Sequence, residues 1–217
     1  MKVVASKRMG LLVVSLTALL TGCGAVTATP MPNQPTVGTS GGAPNSTSSG
    51  PADPTPAVTE SNPPGDIPDN QVYVPFTARG GRVSLKVPEG WARSSAGTAT
   101  QFTDKLNRIE IDPSSAGSAP TIVSVTSSDV PKLKSSVPHF NLGKVTTEQR
   151  SGSVVVLVRY QGDSPQDPVT GKVVRDAFER YVYYHNGQRL NLTLSGPTNA
   201  DNVDPWRIVS DSVRWQR

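Results

Sequence analysis

The fold is decided by residues 180–194, RYVYYHNGQRLNLTL. At the centre of this stretch lies Asn186-Gly187, a dipeptide that supplies the two positive-φ positions of a tight hairpin turn. The segments on either side of it alternate as β-strands do, so the stretch predicts a β-hairpin. The second strand is expected to direct Leu190, Leu192 and Leu194 into the core, and Asn191 and Thr193 away from it.

The first strand of this hairpin carries a competing pattern. Within residues 174–184, Ala177, Phe178, Tyr181 and Val182 also recur at helical spacing. The tyrosines and the hairpin turn nevertheless favour a strand. The charged residues of the region are then expected at the exposed positions of a strand pair; they are Lys172, Arg175, Asp176, Glu179 and Arg180.

The rest of the chain beyond residue 72 is also mainly strand-like. Residues 154–158 are apolar on both faces of an extended chain, which predicts a central strand with cover on both sides. The alternation and the breaks between runs indicate strands at residues 83–87, 99–103, 108–111, 121–125, 142–149 and 154–160, the last two joined by Ser151-Gly152.

Two helices are expected. Asp204-Pro205 places a capping carboxylate before a proline suited to the first helical turn, although the helix could begin earlier, near Thr198 or Asn199. Trp206, Val209 and Val213 then recur on one face. A weaker helix is predicted from Ser128 to Ser136, with Asp129 near its start and Pro131 in its first turn.

Residues 1–22 are typical of a secretory signal peptide. Lys2, Lys7 and Arg8 precede a short apolar run, and small residues then lead to Cys23, the only cysteine. The run is too short to span a bilayer, which needs about 20 apolar residues. The step into Cys23 resembles the lipobox of bacterial lipoproteins, which implies that the Cys23 thiol is acylated and becomes the first mature residue. The alternative is a buried or free cysteine in an uncleaved leader.

Residues 23–70 differ in composition from the remainder of the chain. Ten of the 20 prolines lie between residues 24 and 70, with much Gly, Ser and Thr, and the first aromatic residue is Tyr73. Such a segment buries too little apolar surface to fold, so it is expected to be a disordered tether. Residues 71–217 are expected to form one domain. Asn45-Ser46-Thr47 and Asn191-Leu192-Thr193 match the N-glycosylation pattern, which has little weight in a bacterial lipoprotein.

Charge and motifs exclude several classes of function. Three of the 21 basic residues lie in the leader, so the mature chain is nearly neutral and is not expected to bind nucleic acid. Gly38-Thr39-Ser40-Gly41-Gly42 matches a serine-hydrolase pattern but lies in the tether, without the strand and helix that the motif requires. No metal or phosphate motif is present, and no cofactor is expected.

Four side chains remain as candidates for chemistry. His139 and His185 are expected at the surface, although either would serve a hydrolase if a serine and an acid lay beside it. Asp163 and Asp167 flank a short loop and could bind a hard cation such as calcium, but a solvated turn is the simpler interpretation.

Three segments together resemble the PsbP-like domains of bacterial lipoproteins, including those of mycobacteria and related actinobacteria. They are Val87-Pro88-Glu89-Gly90-Trp91, the strand pair around His185-Asn186-Gly187, and the closing helix that holds Trp206-Arg207-Ile208-Val209 and Ser212-Val213-Arg214-Trp215. The resemblance implies an antiparallel sheet packed against helices, with no catalytic signature and a binding or accessory role. The tryptophans at 91, 206 and 215 are expected to anchor the core.

The sequence therefore predicts a single α+β domain on a lipid anchor at the extracytoplasmic face of the cell membrane. Its expected role is a non-enzymatic binding or accessory module for an envelope protein, a transporter component or a cell-wall molecule. One alternative is a carrier of a lipid or other apolar molecule, which would require a pocket of several hundred Å³ lined by aliphatic side chains. The other is a hydrolase that uses His139 or His185.

Acylation can be tested at Cys23. We expect the native chain to incorporate labelled palmitate and to lose its leader, whereas Cys23→Ser should do neither because it lacks the thiol that accepts the lipid. Metabolic labelling followed by membrane fractionation measures both events. Equal labelling and processing of the two chains would contradict the lipoprotein interpretation.

Overall fold

The structure is a computed structural model, and it describes residues 63–167 and 171–216. Cys23, the leader, the Gly38–Gly42 motif and Asn45 lie outside the described residues. The elements, in chain order, are β1 (Tyr73–Thr77), β2 (Val83–Pro88), β3 (Ala92–Ala96), β4 (Ala99–Asp104), β5 (Asn107–Ser115), α1 (Ile122–Ser136), β6 (Asn141–Arg150), β7 (Ser153–Asp163), β8 (Arg175–His185), β9 (Gln188–Pro197), α2 (Val203–Ser210) and β10 (Arg214–Trp215).

The strands form two antiparallel sheets, which confirms the expected α+β fold. The larger sheet has seven strands in the order β3-β4-β5-β9-β8-β7-β6, and the smaller has three in the order β1-β2-β10. The small sheet and α2 pack on one face of the large sheet, and α1 packs on the other. Three layers therefore enclose two apolar clusters, one on each face of the large sheet.

The β8–β9 hairpin is present as predicted. Asn186 and Gly187 both have positive φ, at 47° and 77°, and His185 pairs with Gln188 across the turn. Leu190, Leu192 and Leu194 are each 0% exposed and lie in the larger apolar cluster. Asn191 and Thr193 point to the opposite face, as expected, but that face is also covered, so both are buried. A buried Asn191 inside a strand is not an accessible glycosylation site.

The face of the large sheet toward β2 holds the larger apolar cluster. Val83, Leu85 and Val87 alternate into it from β2, in the predicted pattern, and meet side chains of β5, β7, β8 and β9. All three tryptophans are half-buried and pack against this cluster, which agrees with their expected role as core anchors. Val209 and Val213 from the C-terminal part of the chain close the cluster.

Strand β7 has apolar cover on both faces, as predicted. Val155 and Leu157 face the larger cluster, whereas Val156 and Val158 face α1. The strand is not central, however, because it lies next to the edge strand β6. The cover on its second face comes from α1 rather than from more sheet.

The two edge strands of the large sheet are irregular or short. The pairing of β6 with β7 shifts register between Leu142 and Lys144, which is a β-bulge at Gly143. At the opposite edge, β3 is five residues long and exposed at every position.

Helix α1 corrects the strand predicted at residues 121–125. Thr121 and Ser124 form a capping box, in which the Thr121 side chain accepts from the Ser124 amide and the Ser124 side chain accepts from the Thr121 amide. Val125 is fully buried while Ile122 and Val123 are exposed, so the apolar run serves a helix instead of a two-sided strand. The helix begins six residues before the predicted Ser128, and Pro131 therefore lies inside it and not in its first turn.

Helix α2 begins close to the predicted point but with a different cap, and it ends at Ser210. The predicted helix is therefore too long, because Val213 lies beyond α2 and Arg214–Trp215 form strand β10. Asn202 occupies the N-cap position, and Asp204 lies in the first turn. The side-chain amide of Asn202 makes no capping hydrogen bond, because it is hydrogen-bonded to residues outside the helix. Its Oδ1 accepts from the Ile67 amide at 2.8 Å, and its Nδ2 donates to the Gly65 carbonyl at 3.0 Å and to Asn107 Oδ1 at 3.0 Å.

These bonds attach residues 63–70, which composition assigns to the tether, to the folded head. Gly65 and Ile67 are buried, and the Gly65 carbonyl also accepts from Asn107 Nδ2 at 2.8 Å. The side chains of Asn107 and Asn202 thus hydrogen-bond to backbone groups of this segment. These groups would otherwise lack partners, because the segment lies outside any sheet. Over the described ranges, neither helix has the length and apolar character needed to cross a bilayer.

The Asn202 contacts predict a measurable loss of stability. Asn202→Ala removes the acceptor of the buried Ile67 amide and one of the two side-chain donors to the Gly65 carbonyl. We therefore expect the free energy of unfolding to fall by roughly 1–3 kcal/mol. Asn199→Ala, at an exposed position nearby, serves as the control and should change it by about 0.5 kcal/mol or less. Denaturant unfolding measures both, and equal effects would contradict the role of the Asn202 amide.

Candidate functional site

A cavity of about 620 Å³ lies on the α1 side of the large sheet, and we name it the α1 cavity. Its floor is the sheet, its wall is the C-terminal end of α1, and its rim includes the chain that comes after β7. The residues that the floor contributes are Arg108, Glu110, Tyr160, Phe178, Arg180, Thr193 and Ser195.

The floor consists of two adjacent rows of side chains that cross four strands. The strand register places one row at Arg108–Ser195–Phe178–Tyr160 and the next at Glu110–Thr193–Arg180–Val158. Directly paired residues on neighbouring strands share a face of the sheet. Each row therefore runs from polar side chains on β5 and β9 to aromatic or aliphatic ones on β7.

Helix α1 covers only the apolar end of these rows. Val125 and Leu133 pack with Val156, Val158 and Val182, and Leu133 also forms part of the cavity wall. At Gly162 a Cβ atom would collide with Val137, so the glycine lets the chain after α1 approach the sheet. The polar end of the rows is left uncovered by the helix, which creates the cavity.

Aromatic rings form the apolar part of the floor. Tyr160 and Phe178 stack with centroids 4.6 Å apart and an interplanar angle of 6°, and Phe140 lies 5.2 Å from Tyr160. Burial raises the pKa of Tyr160, so its hydroxyl stays protonated. This stack offers a flat apolar surface within the cavity.

Two arginines form the polar part of the floor. Arg180 Nη1 donates to Thr193 Oγ1 at 3.0 Å, while the Nε atoms of Arg108 and Arg180 are buried without a hydrogen-bond partner. Glu110 lies in the same row as Arg180, but its Oε2 accepts from Gln101 Nε2 at 2.9 Å. The two guanidinium groups therefore keep donor capacity that the described residues do not use.

Asp176 overturns one expectation from the charge pattern. It is 2% exposed rather than solvated, and its Oδ1 is buried without a partner. Burial raises the pKa of Asp176 to about 7, an effect that Arg108 opposes and Asp163 reinforces. Glu179, Arg180 and Arg175 are half-buried, and only Lys172 of the predicted exposed set is open to solvent.

His139 pairs with Asp163, which lines the α1 cavity. Its Nδ1 donates to Asp163 Oδ2 at 2.6 Å, and Arg175 Nη1 lies 3.3 Å from Asp163 Oδ1. These hydrogen bonds, chiefly the one from His139, hold the pKa of Asp163 below its usual range. The His139 side chain is 79% exposed, and among the described residues no hydroxyl group hydrogen-bonds to its ring.

His185 does not line the α1 cavity, whereas the loop that Asp163 and Asp167 flank forms part of its rim. His185 is exposed, accepts from Asn186 Nδ2 at 3.1 Å, and stacks on Trp215 at 5.7 Å. Asp163 is occupied by His139 and Arg175. Within the part of the chain that the structure describes, no three His, Cys, Asp or Glu side chains converge as metal ligands.

A second polar cluster lies on the opposite face of the large sheet, beside Trp206. Arg159 bridges Glu148 at 2.9 Å and Glu179 at 2.7 Å, and the Tyr181 hydroxyl donates to Glu179 at 2.5 Å. Arg150 pairs with Glu148 at 2.8 Å. Each of these charged side chains is paired with another member of the cluster.

Sequence reasoning missed the residues that matter most at the α1 cavity. Arg108 was part of a predicted strand with no function assigned, and Asp176 and Arg180 were placed at exposed positions. One signal was present: the polar residues that alternate with leucine along β9 were predicted to point away from the core. A second layer on that face, α1, converts them from surface residues into the floor of a cavity.

No protein-family model matches this chain, and no curated protein matches it. Cyanobacterial PsbP (CyanoP) from Synechocystis sp. PCC 6803 is similar in structure, with 14% identity and a TM-score of 0.47 over 70% of this chain and 98% of that protein. LpqN, involved in cell envelope biogenesis of Mycobacterium tuberculosis, has 14% identity and a TM-score of 0.43 over 69% of this chain and 93% of LpqN.

A third similar structure is a Bacteroides thetaiotaomicron protein with 9% identity and a TM-score of 0.46 over 66% of this chain. This chain covers 48% of that protein, or about half of its length. The similar structures thus include a PsbP protein and a mycobacterial protein. At such identities the likeness concerns the fold and transfers no activity, ligand or partner.

The raised pKa of Asp176 predicts a pH dependence of stability. In the unfolded chain this carboxyl ionises near pH 4, whereas in the fold it keeps its proton until about pH 7. The unfolded state then binds fewer protons between these values, so ionisation of Asp176 lowers stability as pH rises from 4 to 7. Asp176→Asn removes this loss. The free energy of unfolding of the variant minus that of the native chain should therefore rise by roughly 1–3 kcal/mol between pH 4 and pH 7.

Denaturant unfolding at several pH values measures this difference. At pH 4 the native carboxyl is largely protonated in the fold, so the difference found there reports packing and serves as the internal control. A difference between the two chains that does not change with pH would contradict the raised pKa.

Proposed function

We propose that this protein is a lipid-anchored protein of the extracytoplasmic envelope whose folded head binds a small ligand in the α1 cavity without changing it chemically. The observation that carries this proposal is the cavity itself. A concave site of about 620 Å³ lies within the usual size range of ligand pockets and combines an aromatic surface with a few convergent polar groups.

The cavity favours the carrier alternative over docking of an envelope partner. A carrier requires a pocket of several hundred Å³, and the α1 cavity, which opens to solvent at its mouth, has about 620 Å³. Its lining differs from the aliphatic pocket expected from sequence, because Arg108, Arg180 and Glu110 lie beside Tyr160 and Phe178. The ligand proposed here therefore has polar as well as apolar parts.

The surroundings of His139 support binding rather than hydrolysis. A serine hydrolase needs its imidazole between a hydroxyl nucleophile and an acid. His139 has the acid, Asp163, but that carboxylate also pairs with Arg175, and the described residues place no hydroxyl at the ring. We therefore propose a non-enzymatic role.

The lipid anchor in this proposal rests on the sequence around Cys23. The charged start, the short apolar run and the small residues before the cysteine support acylation at that position. The composition of residues 24–62 supports a tether between the anchor and the head.

Blocking the cavity mouth tests ligand binding. Ser136 and Ser135 are neighbouring exposed serines in the last turn of α1, and each donates to a backbone carbonyl within the helix, but only Ser136 lines the cavity. Ser136→Trp should therefore reduce the amount of bound small molecule by about tenfold or more, because an indole occupies part of the cavity, and Ser135→Trp should not.

The measurement is mass spectrometry of molecules released from the full chain after purification from membranes. A molecule present on the native chain and on Ser135→Trp, but lost from Ser136→Trp, is the expected result. The proposal is wrong if both variants release the same molecules in the same amounts, or if the native chain releases none.

A further inference from the structure

Of the half-buried arginines in the described part of the chain, the two that form no ion pair both line the α1 cavity. Elsewhere in the described head, half-buried arginines are paired: Arg159 with Glu179 at 2.7 Å, Arg189 with Asp129 at 2.5 Å and Arg175 with Asp163 at 3.3 Å. Arg108 and Arg180 form no ion pair with any described residue, and both have a buried Nε without a partner. The cavity therefore differs electrostatically from the rest of the head.

Among the described residues, no carboxylate near these arginines forms an ion pair with them. Asp163 pairs with His139 and Arg175, and Asp176, which lines a smaller adjoining cavity with Arg108, has a pKa that burial raises. Glu110 accepts a hydrogen bond only from the neutral Gln101 amide, which offsets no charge. Two guanidinium groups thus line the α1 cavity beside one carboxylate without a cationic partner, that of Glu110.

A guanidinium group that lines a cavity without an anionic partner is stabilised when an anion enters, because each charge compensates the other. Guanidinium groups present planar sets of N–H donors that match the oxygens of phosphate and carboxylate. The position of Arg108 and Arg180 in adjacent rows, on either side of β9, allows both to reach one anionic group above Thr193 and Ser195. The hydroxyls of these two residues offer further polar contacts.

The other half of the cavity is apolar. The stacked Tyr160 and Phe178 rings form its floor, and Leu133 and Val137 form its wall. The polar and apolar halves are adjacent because the side chains of both rows change from polar on β9 to apolar on β7. A ligand that fills both halves has an anionic end and an apolar end.

We propose that the α1 cavity binds an anionic amphiphile, with its phosphate or carboxylate held by Arg108 and Arg180 and its apolar part against Tyr160 and Phe178. This inference rests on the ligand-binding function proposed above and names the chemical class of the ligand. A free anion satisfies only the polar half, and a neutral amphiphile satisfies only the apolar half.

Three soluble probes separate these cases: octyl phosphate, inorganic phosphate and octyl glucoside. The full chain is purified from membranes in dodecyl maltoside, a neutral amphiphile that is then present in excess, and titrated with each probe by calorimetry. Octyl phosphate should bind with a Kd about tenfold or more below those of octyl glucoside and inorganic phosphate, because it alone fills both halves.

Three variants assign this binding to the arginines. Arg108→Gln combined with Arg180→Gln should raise the Kd for octyl phosphate by about tenfold or more. Arg93→Gln, at an exposed position on β3, is the matched control for loss of charge and for uptake of the probe by micelles, and should leave the Kd unchanged. Arg108→Gln alone is the third variant, because the Arg108 side chain donates no hydrogen bond to a described residue and its loss should leave the fold intact.

Each outcome is decisive for the ligand class. Equal binding of octyl phosphate and octyl glucoside would contradict the proposal of an anionic head group. Unchanged binding of octyl phosphate by the arginine variants would contradict it as well. Inorganic phosphate that binds as tightly as octyl phosphate overturns the amphiphile. If octyl phosphate fails to bind while the native chain releases a neutral molecule that Ser136→Trp loses, only the ligand class is wrong; if that release also fails, the proposed function is wrong as well.

Discussion

Strand β9 is buried on both of its faces, and the rest of the head is arranged around that constraint. Its leucines at 190, 192 and 194 are fully enclosed by the small sheet and α2. Its alternate residues, Asn191, Thr193 and Ser195, are also buried, although they are polar. A polar face under cover needs partners, which it finds in arginine side chains of its own and neighbouring strands: Arg189 for Asn191 and Arg180 for Thr193. The site proposed here is the part of this polar face that the helix leaves open.

The sheet face under α1 thus has two chemical halves because two kinds of strand contribute to it. Strand β7 is apolar on both sides, so its half can be sealed by Val125 and Leu133 of the helix. Strands β5 and β9 place Arg108, Glu110 and Thr193 on the same face, and a helix packed over those groups would desolvate them. One helix of 15 residues on a seven-stranded sheet therefore covers the apolar half and leaves a cavity over the other.

The sequence was informative where local chemistry decides local structure. The Asn186-Gly187 turn, the paired strands around Ser151-Gly152 and the buried face of α2 could all be predicted from turn residues and from periodicity. It misled at residues 121–125, where a short apolar run suits a strand or a helix equally and the capping box between Thr121 and Ser124 decides the outcome. The cavity could not be predicted in the same way, since its side chains come from β5, β7, β8, β9 and α1. Asp176 has the pattern of a solvated charge until the neighbouring strands and the chain beyond β7 enclose it.

The two ends of the large sheet have a consequence for encounters between copies of this protein. Exposed strand edges on adjacent copies can pair with each other and begin aggregation. In this head, β6 carries a bulge at Gly143 and bears Lys144, Glu148 and Arg150, while β3 is short and carries Arg93. Both edges are thus poor templates for another strand, so the sheets of neighbouring copies do not extend into one another even where the heads crowd together.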